Sequence, residues 1–198
     1  MSRKHPVIAV TGSSGAGTST VKRAFENIFR REEMSAAIIE GDSLHSLDRL
    51  AFRVAVAEAA KAGNHSFSHF GPEANHFDKI EETFRVYSET GTCKRRYYVH
   101  SEDEAILHNK HFGLTDLKPG TFTPWEDVEP NSDLLFYEGL HGLAIDGILT
   151  LANTLIWVSV WFRWLILSGY RKFTVTKKSG AILPRQRLIQ FCAACLIM

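Results

Sequence analysis

The chain has 198 residues, 44% of them hydrophobic and 23% charged, with a formal net charge of +1. That length suffices for one globular domain with a real core, and the composition excludes a disordered polymer, a collagen-like repeat and a disulfide scaffold. The charge is unevenly split. Residues 1–146 hold all 22 acids, all nine histidines and 16 of the 23 Lys and Arg, a formal charge of −6, whereas residues 147–198 carry +7 and no acid. A negative first part argues against nucleic acid as the main partner. Met1–Pro6 lead into no apolar run with a small-residue cleavage site, and a single cysteine before residue 147, Cys93, fits a reducing, cytoplasmic setting.

In chain order, Pro6–Thr11 is a short apolar, β-branched run that predicts a buried parallel strand. Gly12-Ser13-Ser14-Gly15-Ala16-Gly17-Thr18-Ser19-Thr20 follows at once, and then Val21, Ala24, Phe25, Ile28 and Phe29 fall at helical spacing. Strand, glycine loop and amphipathic helix are the setting of a P-loop, in which backbone N–H groups and a helix N-terminus cradle a polyphosphate. Gly12 and Gly17 have the P-loop spacing and Ser19 takes the hydroxyl position, available to Mg²⁺ with Thr20 beside it. Thr18 stands where the general pattern has lysine. The plain alternative is a glycine turn with no nucleotide.

A second strand, Ser35–Glu40, runs into Gly41-Asp42-Ser43-Leu44-His45. Ligands gather beyond the carboxyl ends of strands in open α/β sheets, so Asp42 and His45 are predicted to face the phosphate region, with Asp42 able to take a proton from an acceptor hydroxyl. Asp42 also suits an N-cap for a helix predicted over 47–62. A third strand, Asp133–His141, brings an apolar run onto the acid Glu138, in the manner of a carboxylate that orients Mg²⁺. The fold class predicted is α/β: a P-loop, mostly parallel sheet with flanking helices.

These pieces together resemble the bacterial phosphoribulokinase family. The resemblance runs from Lys4 to about Gly142 through GSSGAGTST (12–20), EGDSLH (40–45), FSHFGPEAN (67–75), ETGTCKRRYYVH (89–100), PGTFTPWED (119–127) and LLFYEGLHG (134–142). It implies ATP- and Mg²⁺-dependent phosphorylation of ribulose 5-phosphate to ribulose 1,5-bisphosphate, the Calvin-cycle step, by a cytoplasmic homo-oligomer with no membrane or nucleic-acid partner. By position it implies Asp42 as general base, Glu138 as a Mg²⁺-associated carboxylate with Ser19, residues 12–20 as the ATP cradle, and His45, Arg49, Arg96, Tyr97 and His100 at the acceptor. The family loop also lacks the P-loop lysine. Leu44 and Ser46 depart from the family, where an aromatic and a basic residue are expected. Lys94 and Arg95 fit a solvated basic edge equally well. His65, His69 and His76 lack the carboxylate of a zinc motif and read as ordinary polar histidines. A related kinase acting on another acceptor, such as uridine, is the alternative.

The resemblance stops after Ala144. Gly147–Phe162 is an uncharged run of 16 residues ended by Arg163, short of the ~20 residues of a spanning helix. With the basic residues beyond, it allows a third reading, a membrane-anchored nucleotide-binding protein. A shifted reading frame accounts for it more fully. Back-translated and read one base earlier, with only the first base of each new codon free, Ala152–Trp164 admits KYADLGIGVVPVV, Leu165–Arg185 admits NLEWIQKIHRDKKERGYSPEA, and Leu188–Ile197 admits DSILRRMPDY. These strings resemble the family's next segment, including charged residues that in the family neutralise phosphate and bind metal. The expectation is an incomplete kinase domain over 1–146, an out-of-frame tail over 147–198 that is not native to the fold from about residue 150, and no activity in this chain.

Overall fold

The structure, a computed structural model, describes residues 5–12, 17–141, 145–146, 149–150, 157–163 and 170–175, with side chains up to residue 141. Its centre is a five-stranded sheet. β1 (Val7–Gly12), β2 (Ala36–Glu40), β5 (Leu134–Gly139), β8 (Trp157–Arg163) and β9 (Tyr170–Val175) lie in the order β2-β5-β1-β8-β9. The first four strands run parallel and β9 returns antiparallel beside β8. The apolar runs expected as strands at 6–11 and 35–40 form within a residue, and the one expected at 133–141 forms as a strand that ends at Gly139, two residues short. β8 and β9 carry the sheet past residue 146 on the open side of β1, and β8 is rich in the Val and aromatic residues that strands favour.

Both faces of the sheet are covered, which is why its strands read as continuous apolar runs. On one face, Ile8, Val10, Leu134 and Phe136 pack with Phe25 and Phe29 of α1 (Thr18–Arg31), the Phe25 and Phe136 rings lying 5.0 Å apart. On the other, Val7, Ala9, Ile39, Leu135 and Tyr137 meet Ile80, Phe84 and Tyr87 of α3 (Phe77–Thr90). Burying one such side chain is worth about 1.5–3 kcal/mol, and alternate strand residues supply the two cores. The Tyr87 hydroxyl, 2.8 Å from Ser132 Oγ, also ties α3 to the turn before β5.

Beyond the central sheet lie α2 (Arg49–Lys61) and α4 (Glu102–Phe112) and a small antiparallel pair of β3 (Lys94–Arg95) and β4 (Glu126–Asp127), which α4 separates in the chain. α2 is capped by Asp48, whose Oδ1 accepts from Ala51 N at 2.8 Å. Asp42 is therefore not the cap of this helix. β6 (Ile145–Asp146) and β7 (Leu149–Thr150) form a separate antiparallel pair. No helix among the described residues is long and apolar enough to cross a membrane.

Candidate active site

The sheet brings three carboxylates to one end. Glu138 of β5 is in register with Val10 of β1 on one side and Glu40 of β2 on the other. Asp42 follows Glu40 in a single 3₁₀ turn, Gly41–Leu44. The two strand ends approach too closely for side chains: a Cβ on Gly41 would lie 2.8 Å from Gly139 Cα and 2.7 Å from Tyr137 Oη. Glycine at both positions lets Asp42 and Glu138 open on the same cleft.

That cleft, of about 560 Å³, is lined by Gly12, Thr18, Ser19, Lys22, Glu40, Asp42, Tyr97, Tyr98, His100 and Glu138, among others. Gly17, at φ 83° in the left-handed region open to glycine, turns the chain into α1. Ser13, Ser14, Gly15 and Ala16 lie outside the described residues. Thr18 hydrogen-bonds Glu138, and burial pushes the Glu138 carboxyl up despite that bond and despite the nearby Lys22. One helical turn after Thr18, Lys22 places its ammonium against Glu40 and 4.0 Å from Glu26. Burial would lower the Lys22 pKa, but its bond to Glu40 prevails and raises it. The cleft thus has a buried-side cation although the loop has none. The sequence signal for Lys22 was its place one turn beyond the missing loop lysine, and it was not read.

A second cleft of about 500 Å³ opens on the other side of Asp42, with His45, Arg49, Phe52, His69, Tyr98 and His100 in its wall. Asp42, Tyr98, His100 and Leu140 line both clefts. His45 Nε2 is 3.6 Å and His100 Nε2 4.0 Å from the Asp42 carboxylate. The bond from His45 is the main reason Asp42 lies below its ordinary value, with burial acting in the opposite sense. Arg49 is fixed at its base: its N–H donates to Gly120 O at 2.9 Å, and its stem lies over Gly120, where a Cβ would come within 2.7 Å of Arg49 Cβ.

The run Lys94–His100 does not act as one basic block. Lys94 pairs with Asp127, and Arg95 with Glu126 and Glu129. Arg96 donates from Nε to Ser43 O and from Nη2 to His45 O, both at 2.7 Å, with its guanidinium 3.8 Å from the Phe122 ring centroid. Its polar edge is therefore spent on the backbone of the turn that carries Asp42, because Phe122 and Trp125 fold beneath it. Tyr97 stacks on His108, and burial pushes its hydroxyl up to about 12. His69 stacks on Phe52 at 3.6 Å and His76 stands 4.0 Å from Asp78, so neither they nor His65 form a metal cage; no group of three or more His, Cys, Asp or Glu does so among the described residues. Leu44, at a position where an aromatic residue was expected, is core, and Ser46 donates to Glu73 O.

The sequence profile described as the phosphoribulokinase/uridine kinase family matches residues 7–162. The chain is 54% identical over 145 residues to a phosphoribulokinase of Nitrobacter vulgaris, covering 73% of this chain and 48% of that protein. It is 55% identical over 142 residues to the chromosomal phosphoribulokinase of Cupriavidus necator, covering 72% and 46%. The crystal structure of phosphoribulokinase from Rhodobacter spheroides superposes with a TM-score of 0.67 at 41% identity, over 79% of this chain and 50% of that one. A possible uridine kinase from Bacillus stearothermophilus, at 14% identity and a TM-score of 0.50 over 78% of this chain and 68% of that one, shares the fold. The chain spans about half the length of the curated relatives it matches. By the span of the family match and the identity to these relatives, the chain belongs to the phosphoribulokinase/uridine kinase family.

Proposed function

We propose that this fold is built to transfer the γ-phosphoryl of ATP to the O1 hydroxyl of ribulose 5-phosphate. The observation that carries the reading is the place of Asp42 on the boundary of two clefts, one reaching the glycine loop and one lined by His45, Arg49 and His100. As the hydroxyl oxygen bonds the γ-phosphorus and the bond to the bridging β–γ oxygen breaks, Asp42 accepts the hydroxyl proton and ADP leaves with the bridging oxygen. A depressed carboxyl keeps Asp42 ionised and ready for that proton. Arg49, His45 and His100 hold the acceptor, Tyr97 lines the cleft on the glycine-loop side, and Arg96 serves the same site through the turn it grips.

The donor set suits Mg²⁺. Glu138 and the Ser19 hydroxyl are hard oxygen ligands at the same cleft, and Mg²⁺ takes one or two protein oxygens while keeping waters and phosphate oxygens. When bound, it offsets charge on the phosphates. Identity of about half to phosphoribulokinases of two genera supports ribulose 5-phosphate over uridine as acceptor.

The tail reads out of phase, and the chain as it stands does not turn over, because the charged residues of the hidden QKIHRD string are missing from it. Phase also accounts for β8. Residues 158–162 read Val-Ser-Val-Trp-Phe here and Ile-Gly-Val-Val-Pro in the alternative frame, so both frames supply an apolar strand beside β1.

Resequencing the DNA around codons 145–152 and assaying ADP release test these points together. The chain is expected to bind ATP·Mg²⁺ without turnover, and the frame-restored gene product to release ADP with ribulose 5-phosphate and not with uridine. Ribulose 5-phosphate-dependent release by the 198-residue chain overturns the account of the tail. A preference for uridine in the restored enzyme overturns the acceptor.

A further inference from the structure

His45 is held by more than Asp42. Its Nδ1 lies 2.8 Å from Oδ1 of Asn75, a residue that is 6% exposed. Asn75 has its own orientation settled elsewhere. Its Nδ2 donates to His69 O at 2.7 Å and to Gly71 O at 2.8 Å, so both amide hydrogens are used on carbonyls. Rotating the amide by half a turn would set its oxygen against those two carbonyls and lose both bonds. Oδ1 is therefore the atom that meets the imidazole, and it can only accept. The Ala74 carbonyl also bonds the imidazole as an acceptor. As imidazolium His45 donates from Nε2 to Asp42; when it is neutral, the 2.8 Å contact to Asn75, against 3.6 Å to Asp42, keeps the remaining proton on Nδ1 and leaves Nε2 with its lone pair.

We propose that Asn75 is a positioning residue for phosphoryl transfer, fixing the His45 ring and its Nδ1–H tautomer so that Nε2 is the next acceptor for the proton that Asp42 takes from the acceptor hydroxyl. This rests on the reading of Asp42 as the base. The step balances: the proton leaves the Asp42 carboxyl, which regains its charge, and neutral His45 becomes imidazolium, held by Oδ1 of Asn75 on one side and the Asp42 carboxylate on the other. The other groups facing this pair are accounted for. His69 stands 6.0 Å from the His45 ring on its Phe52 stack. Burial lowers the neighbouring imidazoles of His69 and His141, and His45 in turn holds both down. His100 faces the far Asp42 oxygen, and Arg96 meets only the His45 carbonyl. None of these side chains offers an acceptor to Nδ1; the remaining acceptor at the ring is the Ala74 carbonyl, on the same strand of the bridge as Asn75. Asn75 occupies that place because the main chains of His45 and Asn75 pair as an isolated antiparallel bridge, with His76 N–H donating to Leu44 O and Ser46 N–H to Ala74 O.

The test is a long-range ¹H–¹⁵N spectrum of the full chain labelled at the imidazole nitrogens, which reads tautomer without needing turnover and so separates this proposal from the reading of the reaction. Above its titration, wild-type His45 is expected as Nδ1–H; finding Nε2–H overturns the proposal outright. Asn75→Leu is expected to lose the Nδ1–H form and to lower the His45 titration midpoint. Ser46→Ala loosens the same loop by removing a bond to Glu73 O, and is expected to leave the tautomer unchanged. If Asn75→Leu does not fold, the wild-type spectrum still decides, because Nε2–H there overturns the proposal. A tautomer that shifts as much in Ser46→Ala as in an Asn75 variant makes Asn75 a mere loop tether and overturns the proposal.

Discussion

Removing the Arg96 guanidinium separates two roles for a cation in this site. A sugar-phosphate ligand makes its contacts only when substrate is bound, so its loss leaves the apo fold unharmed. The structure gives Arg96 two bonds at 2.7 Å to the carbonyls of Ser43 and His45, and ring contacts to Phe122 and Trp125 at 3.8 and 4.8 Å. A bond from a charged donor contributes about 1.5–3 kcal/mol, and a partly desolvated cation over a ring about 0.5–2 kcal/mol. These contributions end together and water recovers part of them, so Arg96→Ala is expected to cost about 3–4 kcal/mol of stability. Arg96→Lys keeps the charge, but an ammonium cannot span two carbonyls as a planar fork does, and a loss of about 2 kcal/mol is expected. Urea unfolding followed by far-ultraviolet circular dichroism reads both as a lower midpoint at unchanged slope. A loss under about 1 kcal/mol for Arg96→Ala, less than one such bond is worth, would mean that the guanidinium does not hold the Asp42 turn and that its place is on the ligand.

Gly41→Ala puts a methyl group against Gly139 Cα and Tyr137 Oη, at 2.8 and 2.7 Å; an overpacking cost of about 1–3 kcal/mol is expected in urea, together with weaker ATP binding as the ends of β2 and β5 part. The Asp42–His45 pair sets a pH dependence. Burial would lower the His45 pKa, but Asp42 and Asn75 outweigh it and raise it above 6.5, while Asp42 is held below 3.8. A raised histidine stabilises fully below its unfolded value and ceases to as pH rises through its folded value; a depressed carboxyl stabilises above its unfolded value and ceases to as pH falls through its folded one. The pair is therefore most stabilising between about 3.9 and 6.5, and His45→Gln is expected to flatten the loss of stability above that window in melting curves taken across pH; parallel wild-type and variant curves refute this. Cys93 is buried and its thiol pushed up to about 12, so in a Cys192→Ser, Cys195→Ser background it is expected to resist maleimide at pH 8 until denaturant is added, and ready labelling of the native chain counts against that burial.

The strands at 7–12, 36–40 and 134–139 were legible because doubly covered parallel strands are continuous apolar runs, and α1 because its apolar spacing follows a glycine loop. Their order was not legible: β5 inserts between β1 and β2, a pairing across nearly a hundred residues that no local pattern encodes. Asp42 and Asp48 both have the chemistry of an N-cap, and only the backbone shows that Asp48 takes it. Arg96 was expected at the acceptor, while Lys94 and Arg95 stood equally open to a solvated edge, because sequence shows charges without partners. The acids and rings that meet this run arrive from residues 122–129, about thirty residues on and past α4, through a strand pair of two residues that no local pattern announces. Asn75 lay within a recognisable motif, yet an asparagine carries no sign of which amide atom is committed until its carbonyl partners are in place.

One helix of this fold buries nothing fully. α2, which begins with Arg49, has no fully buried side chain, and its Leu50 and Val54 are 72% and 50% exposed. It is moored by the Asp48 cap, the Gly120 carbonyl and the Phe52 stack. Glu138 is part of the sheet and Asp42 follows directly on β2, between two packed cores, whereas Arg49 rides on an element whose replacement costs the core almost nothing. On the proposed reading, the acceptor wall can therefore change without disturbing the strand ends that carry the transfer.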